Sequence, residues 1–330
     1  MTTVATSSAF KTLLGVGKET VKGTPVAPVL WLPVTTYQPK DSFAALLDTA
    51  SRGGNVDVYN VVQGVGMSEY DLGGAIFPDT FGVPLAGILG DVVVTGASAP
   101  FSHAMANTQA NGGQPGAWTF AHIDPLNANP NQQAGMQFAE VNMVLDRDQL
   151  ATWTAKGIGY PSAVAASPAS PAFSGIVPLE GWRFAATIGG VAVPELLHAE
   201  ISIKRAGTVA EHTLQGIQAP AFVFADEVSV DGKLTFVAAV AGTQLNYYLT
   251  NAVLPVVLTA VRGAGAAQDG LTLTMSKVNY TAAGKGFGSK YITVEADLKA
   301  SGNTTDVGAS GGYSPIKATL LNAKPAGTFA

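Results

Sequence analysis

Apolar and polar residues alternate with a period of two through most of this chain, the pattern of strands with one buried and one wet face. Over Leu197–Arg205, Leu197, Ala199, Ile201 and Ile203 fall on one side, and His198, Glu200, Ser202 and Lys204 on the other. Leu271, Leu273 and Met275 alternate with Thr272, Thr274 and Ser276, and Ile292, Val294, Ala296 and Leu298 alternate with Thr293, Glu295 and Asp297. Trp182, Phe184, Ala186 and Ile188 form a further stripe. Wet faces predict antiparallel sheets, because parallel sheets bury both sides. Such a strand can face a core on one side and a water-filled channel on the other.

Helical spacing is confined to two places. Pro78–Leu89 offers Asp79 as a cap, followed by Phe81, Leu85, Ile88 and Leu89. Thr243–Asn251 offers Thr243 as a cap, with Leu245, Tyr248 and Leu249 facing one way; Pro255 then stops the helix and starts the next strand. The surroundings match: Arg52 precedes Gln63-Gly64 in one half, and Arg205 precedes Gln215-Gly216 in the other. In each half a strand enters the helix, a short strand leaves it and alternating strands follow.

This predicts a mainly β protein built from two duplicated units, 31–160 and 179–330, the second with a C-terminal extension. Generic strand composition would give a similar impression, so both explanations stand at this point. A Pro/Ala/Ser-rich stretch over 161–178 reads as the linker. Residues 1–30, broken by Gly15, Gly17, Gly23, Pro25 and Pro28, read as an assembly arm that orders only against a neighbour. Residues 97–131, rich in Gly, Asn, Pro and Gln, read as a long projecting hairpin.

Composition sharpens this. Charged residues make up only 12% of the chain, about half the usual share, so much of its surface is expected to end against other protein; a compact secreted β-protein fits that number equally well. With no cysteine, disulfides, thiolate nucleophiles and Cys-ligated metals are excluded. The N-terminal residues lack a signal-peptide pattern and no long apolar run predicts a membrane helix, so the chain is expected in the cytoplasm when made. A formal charge of −5 argues against wrapping nucleic acid.

No motif carries a reaction. Gly308-Ala309-Ser310-Gly311-Gly312 matches the nucleophile elbow in letters, but no helix or histidine follows it. Gly284–Lys290 lacks P-loop spacing and reads as a turn. His103, His122, His198 and His212 are never paired at metal-ligand spacing, and Asp146, Arg147 and Asp148 read as a solvated turn.

Several segments, in order, resemble the tail tube (major tail) proteins of long-tailed bacteriophages, particularly those infecting actinobacteria. They are Gly17-Lys18-Glu19-Thr20 with Gly23-Thr24-Pro25-Val26-Ala27-Pro28; Tyr70-Asp71-Leu72-Gly73-Gly74 through Pro78-Asp79-Thr80-Phe81-Gly82 to Leu89-Gly90-Asp91; Gln114-Pro115; Gly135 through Leu150; His212–Gly216; Gly232–Phe236; and Asn303–Asp306 with Ser314–Lys317. The resemblance implies an antiparallel β-sandwich or barrel-like unit with short flanking helices and no cofactor. It implies stacked rings around a DNA channel, trimeric with pseudo-sixfold symmetry or hexameric. Implied partners are further copies of the chain, the tail terminator, the tape measure and distal tail proteins, with double-stranded DNA in transit and no membrane. Another virion β-protein, such as a tail terminator, capsid decoration or fibre component, is the alternative. Glu295 and Asp297 are the candidate channel-facing acids, and Lys18, Glu19, Thr24 and Pro25 the candidate inter-subunit residues of the arm.

Overall fold

The computed structural model describes residues 11–124, 131–165, 171–173, 175–239, 242–288 and 290–330. Its first strand, β1 (Leu13–Lys18), lies between β2 (Leu30–Leu32) and the later strand Trp118–Ile123, antiparallel to both. Leu14 and Val16 are buried there. This corrects the expectation for the arm: Met1–Phe10 lies outside the described residues, but from Leu13 the segment completes the chain's own core. Gly17 is required because a side chain there would strike Val26 and the Ala27 carbonyl, which fold back over the strand.

Two long strands follow, β3 (Thr36–Asp48) and β4 (Asn60–Ala75), and then helix α1 (Gly82–Leu89). Every residue of α1 is buried, as its uniformly apolar sequence requires. The helix starts later than the expected Asp79 cap. Phe81 takes the cap position without a side-chain hydrogen bond, and Asp79 is buried in the preceding turn. Next come β5 (Gly90–Thr95), β6 (Phe101–Asn107), β7 (Trp118–Ile123), β8 (Asn131–Asp146), β9 (Thr152–Gly159) and β10 (Ala163–Val164). The hairpin expected over 97–131 does not project. β6 pairs with β5, β7 pairs with β1 and β8, and His103, Met105, Trp118 and Phe120 are buried. The Gly/Asn richness belongs to a tight turn in which Asn111, Gly112 and Gly113 adopt positive φ; residues 125–130 lie outside the described set.

The second half contributes β11 (Ala185–Ile188), β12 (Val191–Ala192), β13 (Leu196–Arg205), β14 (Val209–Glu211), β15 (Phe222–Phe224), β16 (Val228–Val237), α2 (Thr243–Leu249), β17 (Leu254–Arg262), β18 (Asp269–Gly286), β19 (Thr293–Ala300) and β20 (Lys317–Asn322). In α2 the cap is Gly242, at φ 60°, rather than Thr243. No α2 residue is fully buried; of the three residues expected to share a face, Leu245 is half-buried and Tyr248 and Leu249 are exposed. Trp182 and Ile292 are also exposed, so two of the predicted stripes are shorter than the sequence suggested. The 161–178 stretch is not a free linker throughout. Ala163 and Val164 pair with β8, and the Arg262 guanidinium donates to the Val177 and Pro178 carbonyls; 166–170 and 174 are outside the description.

The strands form two broad antiparallel layers. The first runs β3–β4–β9–β8–β13–β16–β19 and ends on the second half of β18. The second runs β5–β6–β20, then the first half of β18, then β17–β11–β12. The start of β8 leaves the first layer to join β7, β1 and β2 in a smaller third sheet. One core joins them, with Met143, Ile201, Ile203, Leu234 and Phe236 from the first layer and Met105, Leu258, Leu271, Leu273 and Leu320 from the second. Each such side chain contributes about 1.5–3 kcal/mol by leaving water. The antiparallel strands are those the alternation predicted, and the sandwich with short flanking helices is the one the resemblance implied.

Candidate functional site

The first layer repeats one pairing order: β3–β4–β9–β8, then β13–β16–β19–β18, with a helix after the second strand each time. A bulge marks the same place in both blocks, between Phe138 and Glu140 on β8 and between Tyr280 and Ala282 on β18. From there, opposed residues run Glu140, Lys156, Asp71, Gln38 in one block and Ala282, Asp297, Lys233, Glu200 in the other. The Arg-to-Gln-Gly spacing does not share this correspondence. Arg52 sits on an exposed loop bonded to Asp48, whereas Arg205 closes β13 and is buried. Its guanidinium donates to the Ile88, Gly113 and Asp226 carbonyls and to Asn107 Oδ1, and burial pulls its pKa down to about 10.

The outer face of this layer is a largely polar wall, interrupted by Val144 and Ile158. Direct opposition puts Gln38, Asp71, Lys156, Glu140, Lys204 and Ser229 in one row across six strands. Glu200, Lys233 and Asp297 form another. Ion pairs cross the wall: Lys204 Nζ lies 3.3 Å from Glu140 Oε1, Lys233 Nζ 2.6 Å from Glu295 Oε2, and Lys299 Nζ 2.7 Å from Asp231 Oδ1. The hydrogen bond to Glu295 is what chiefly holds the Lys233 ammonium above its ordinary pKa. Exposed pairs of this kind add little stability. Their chemical effect is that lysines are matched by carboxylates, leaving no row of cations to hold phosphate. Both sequence candidates, Glu295 and Asp297, stand on this wall, which is charge-interleaved rather than simply acidic.

Both ends of the layer are open among the described residues. β3 pairs only with β4, and beyond Tyr280 β18 pairs only with β19. Open edges are pairing templates. Past the wall, β3 and β4 continue as a hairpin exposed on both faces, with Leu46, Leu47, Val61 and Val62 each more than half exposed. Sequence reasoning missed this element. Its signal was there: Leu46-Leu47 and Val61-Val62 put apolar residues on both faces of a strand, breaking the alternation.

The arm candidates divide. Glu19 is buried, where Oε1 accepts from Thr119 Oγ1 at 2.8 Å and Gly135 N at 2.7 Å, and Oε2 accepts from Gly23 N at 2.6 Å. Lys18 ends β1, and burial lowers its pKa. Glu19 serves the chain's own fold, a correction to its inter-subunit reading, while Lys18 stands half-buried beside it. Thr24 and Pro25 lie exposed in the turn that Glu19 anchors.

The enzyme-like motifs resolve into loops. Ser310 Oγ donates to Asp91 Oδ2 at 2.6 Å and accepts from Gln109 N, so its partner is a carboxylate. Among the described residues no cluster of three metal-ligating side chains occurs. His103 Nε2 meets the Lys324 carbonyl, His198 lies 3.4 Å from Asp146, and His212 Nε2 meets the Gly66 carbonyl.

A two-layer antiparallel body with a neutralised polar wall, open strand edges and an apolar hairpin defines a structural building block. The chain belongs to the phage tail tube protein family, whose model matches residues 9–313. No curated protein matches it. The family is structural, so the chain is not an enzyme, and membership places it in the virion tail among copies of itself and other tail proteins.

Proposed function

We propose that the chain assembles into stacked rings that form the tube through which the phage genome leaves the particle. In this reading three chains complete each ring, each contributing two copies of a duplicated unit, and the polar wall of the first layer lines the bore. The observation that carries it is the eight-strand layer with a matched polar face and two open edges. The shared bulge and pairing order of the two blocks support the duplication.

Strand spacing supports the number of chains. At about 4.8 Å per strand, three eight-strand layers close a wall of about 24 strands and roughly 37 Å across the backbones, and strand tilt widens it. Two layers give roughly 24 Å, which inward side chains reduce below a DNA duplex; six give roughly 73 Å, far wider than one duplex needs. Stacking of ring on ring is a heterologous contact that does not close, and so makes a filament. The exposed β3–β4 hairpin and the Thr24–Pro25 turn supply that contact. Assembly occurs in the host cytoplasm, with the tail terminator, tape measure and distal tail proteins at the ends and inside.

Negative-stain microscopy of the purified chain tests this. Tubes tens of nanometres long with an open bore are expected. Discrete rings or trimers that never stack would favour a tail terminator, decoration or fibre role instead.

A further inference from the structure

The joint between the two blocks is a template for the joint between neighbouring copies, and we infer the register of that second joint from it. This rests on the tube reading above. Within the chain, β8 meets β13 antiparallel, with Glu140 opposite Lys204, Asn142 opposite Ser202 and Val144 opposite Glu200. The bulge correspondence makes Ala282 the counterpart of Glu140 and Gln38 the counterpart of Glu200. Both counterparts lie on the open edges, β18 beyond Tyr280 and β3. Carrying the internal joint across, Ala282 of one copy pairs opposite Ser42 of the next, Gly284 opposite Lys40, and Gly286 opposite Gln38.

The side chains fit this register. Ala282, Gly284 and Gly286 floor a shallow depression walled by Lys233, Glu295 and Asp297. A Cβ built on Gly284 would meet nothing within 4 Å. Gly284 lies directly opposite Glu295 on β19. Lys40 of the incoming strand therefore extends over a residue without a side chain toward the Glu295 carboxylate, in a place where any larger residue would block it. Pro39 has no N–H to give, so the joint is at most one rung weaker than the internal one. The lumen candidates Glu295 and Asp297 thus also receive the neighbouring copy.

The absence of native cysteine makes the test clean. Directly opposed residues have Cα atoms about 4.5–5.5 Å apart, within disulfide reach, whereas a four-residue offset moves them roughly 13 Å. The double variant Ser42→Cys/Ala282→Cys is assembled under reducing conditions, checked for tubes, oxidised and run on a non-reducing gel. Both positions are exposed, and each single variant serves as control. Expected is a ladder ending at three linked chains, at least tenfold stronger than from Gln38→Cys/Ala282→Cys. If tubes form but the offset pair links as well or better, or neither links, the register is overturned while the tube reading stands. If wild-type chains never make tubes, the reading itself falls and the register with it.

Discussion

Two blocks of strands in this chain share one pairing order, but the segment joining the first two strands differs completely between them. After β13 the chain turns into the β14–β15 ribbon, which folds back on its own molecule. Gly66 N donates to the Gln218 carbonyl, Gln218 Nε2 to the Gln63 carbonyl, and Tyr160 Oη to the Ala221 carbonyl. Gln114 and Ala225 exchange two bonds, and the Lys22 ammonium holds the Val223 carbonyl. After β3 the corresponding segment simply continues as a bare hairpin, its leucines and valines in water. Both segments satisfy their backbones by pairing, but only the ribbon is held against the rest of its own molecule; the hairpin leaves its apolar side chains uncovered, and in the proposed tube that is the surface available to the next copy.

The helices repeat the contrast. α1 is wrapped by the chain's own segments: Phe329 near the C-terminus is fully buried against Gly82 and stacks edge-on to His103 at 5.0 Å. α2 has no such cover, and Leu249 is 70% exposed.

The largest effect is expected from the hairpin. Replacing residues 46–62 by an Asn-Gly turn keeps the Ala45–Gln63 rung and supplies the turn that a two-residue hairpin prefers. Circular dichroism and melting should stay near wild type while tube formation, scored by microscopy, is lost. Retained tubes would end the distinction between the two segments. Next, Phe329→Ala should cost about 3–5 kcal/mol in denaturant unfolding of the unassembled chain, whereas Leu249→Ala should stay within about 0.5 kcal/mol. Equal costs would mean that the helices are covered alike.

The smallest effect concerns the ribbon's clasp. Burial lowers the Lys22 pKa from 10.5 to about 8, partly opposed by Glu19. Below about pH 8 the lysine is protonated both folded and unfolded, so it adds no slope. Between about 8 and 10.5 the unfolded chain holds the extra proton, and stability from this group rises with pH. Lys22→Met should flatten that rise in unfolding midpoints compared at pH 7.5 and 9.5. An unchanged slope would show the ammonium to be solvated.

The sequence made most strands legible because each has one wet face: Ile201/Ile203 and Leu271/Leu273/Met275 are buried where the alternation put them. Long-range pairing left no such trace. Trp118–Ile123 looked like an apolar island on a hairpin because its partner, Leu13–Lys18, lies a hundred residues earlier among glycines that resemble a flexible arm. Glu19 read as an arm residue for the same reason, since its bonds to Thr119 and Gly135 exist only once the third sheet forms. Glu295 and Asp297 were legible as wet residues. Their lysine partner on β16 was not, because it is set by strand order rather than by sequence spacing.

The most direct test is an end-on electron cryomicroscopy reconstruction of one ring from assembled tubes. The account predicts three chains around a bore walled by a continuous sheet, with Glu295 and Asp297 on its inner surface. Six chains per ring, or a wall whose inner surface is the β5–β6–β20 layer, would contradict it.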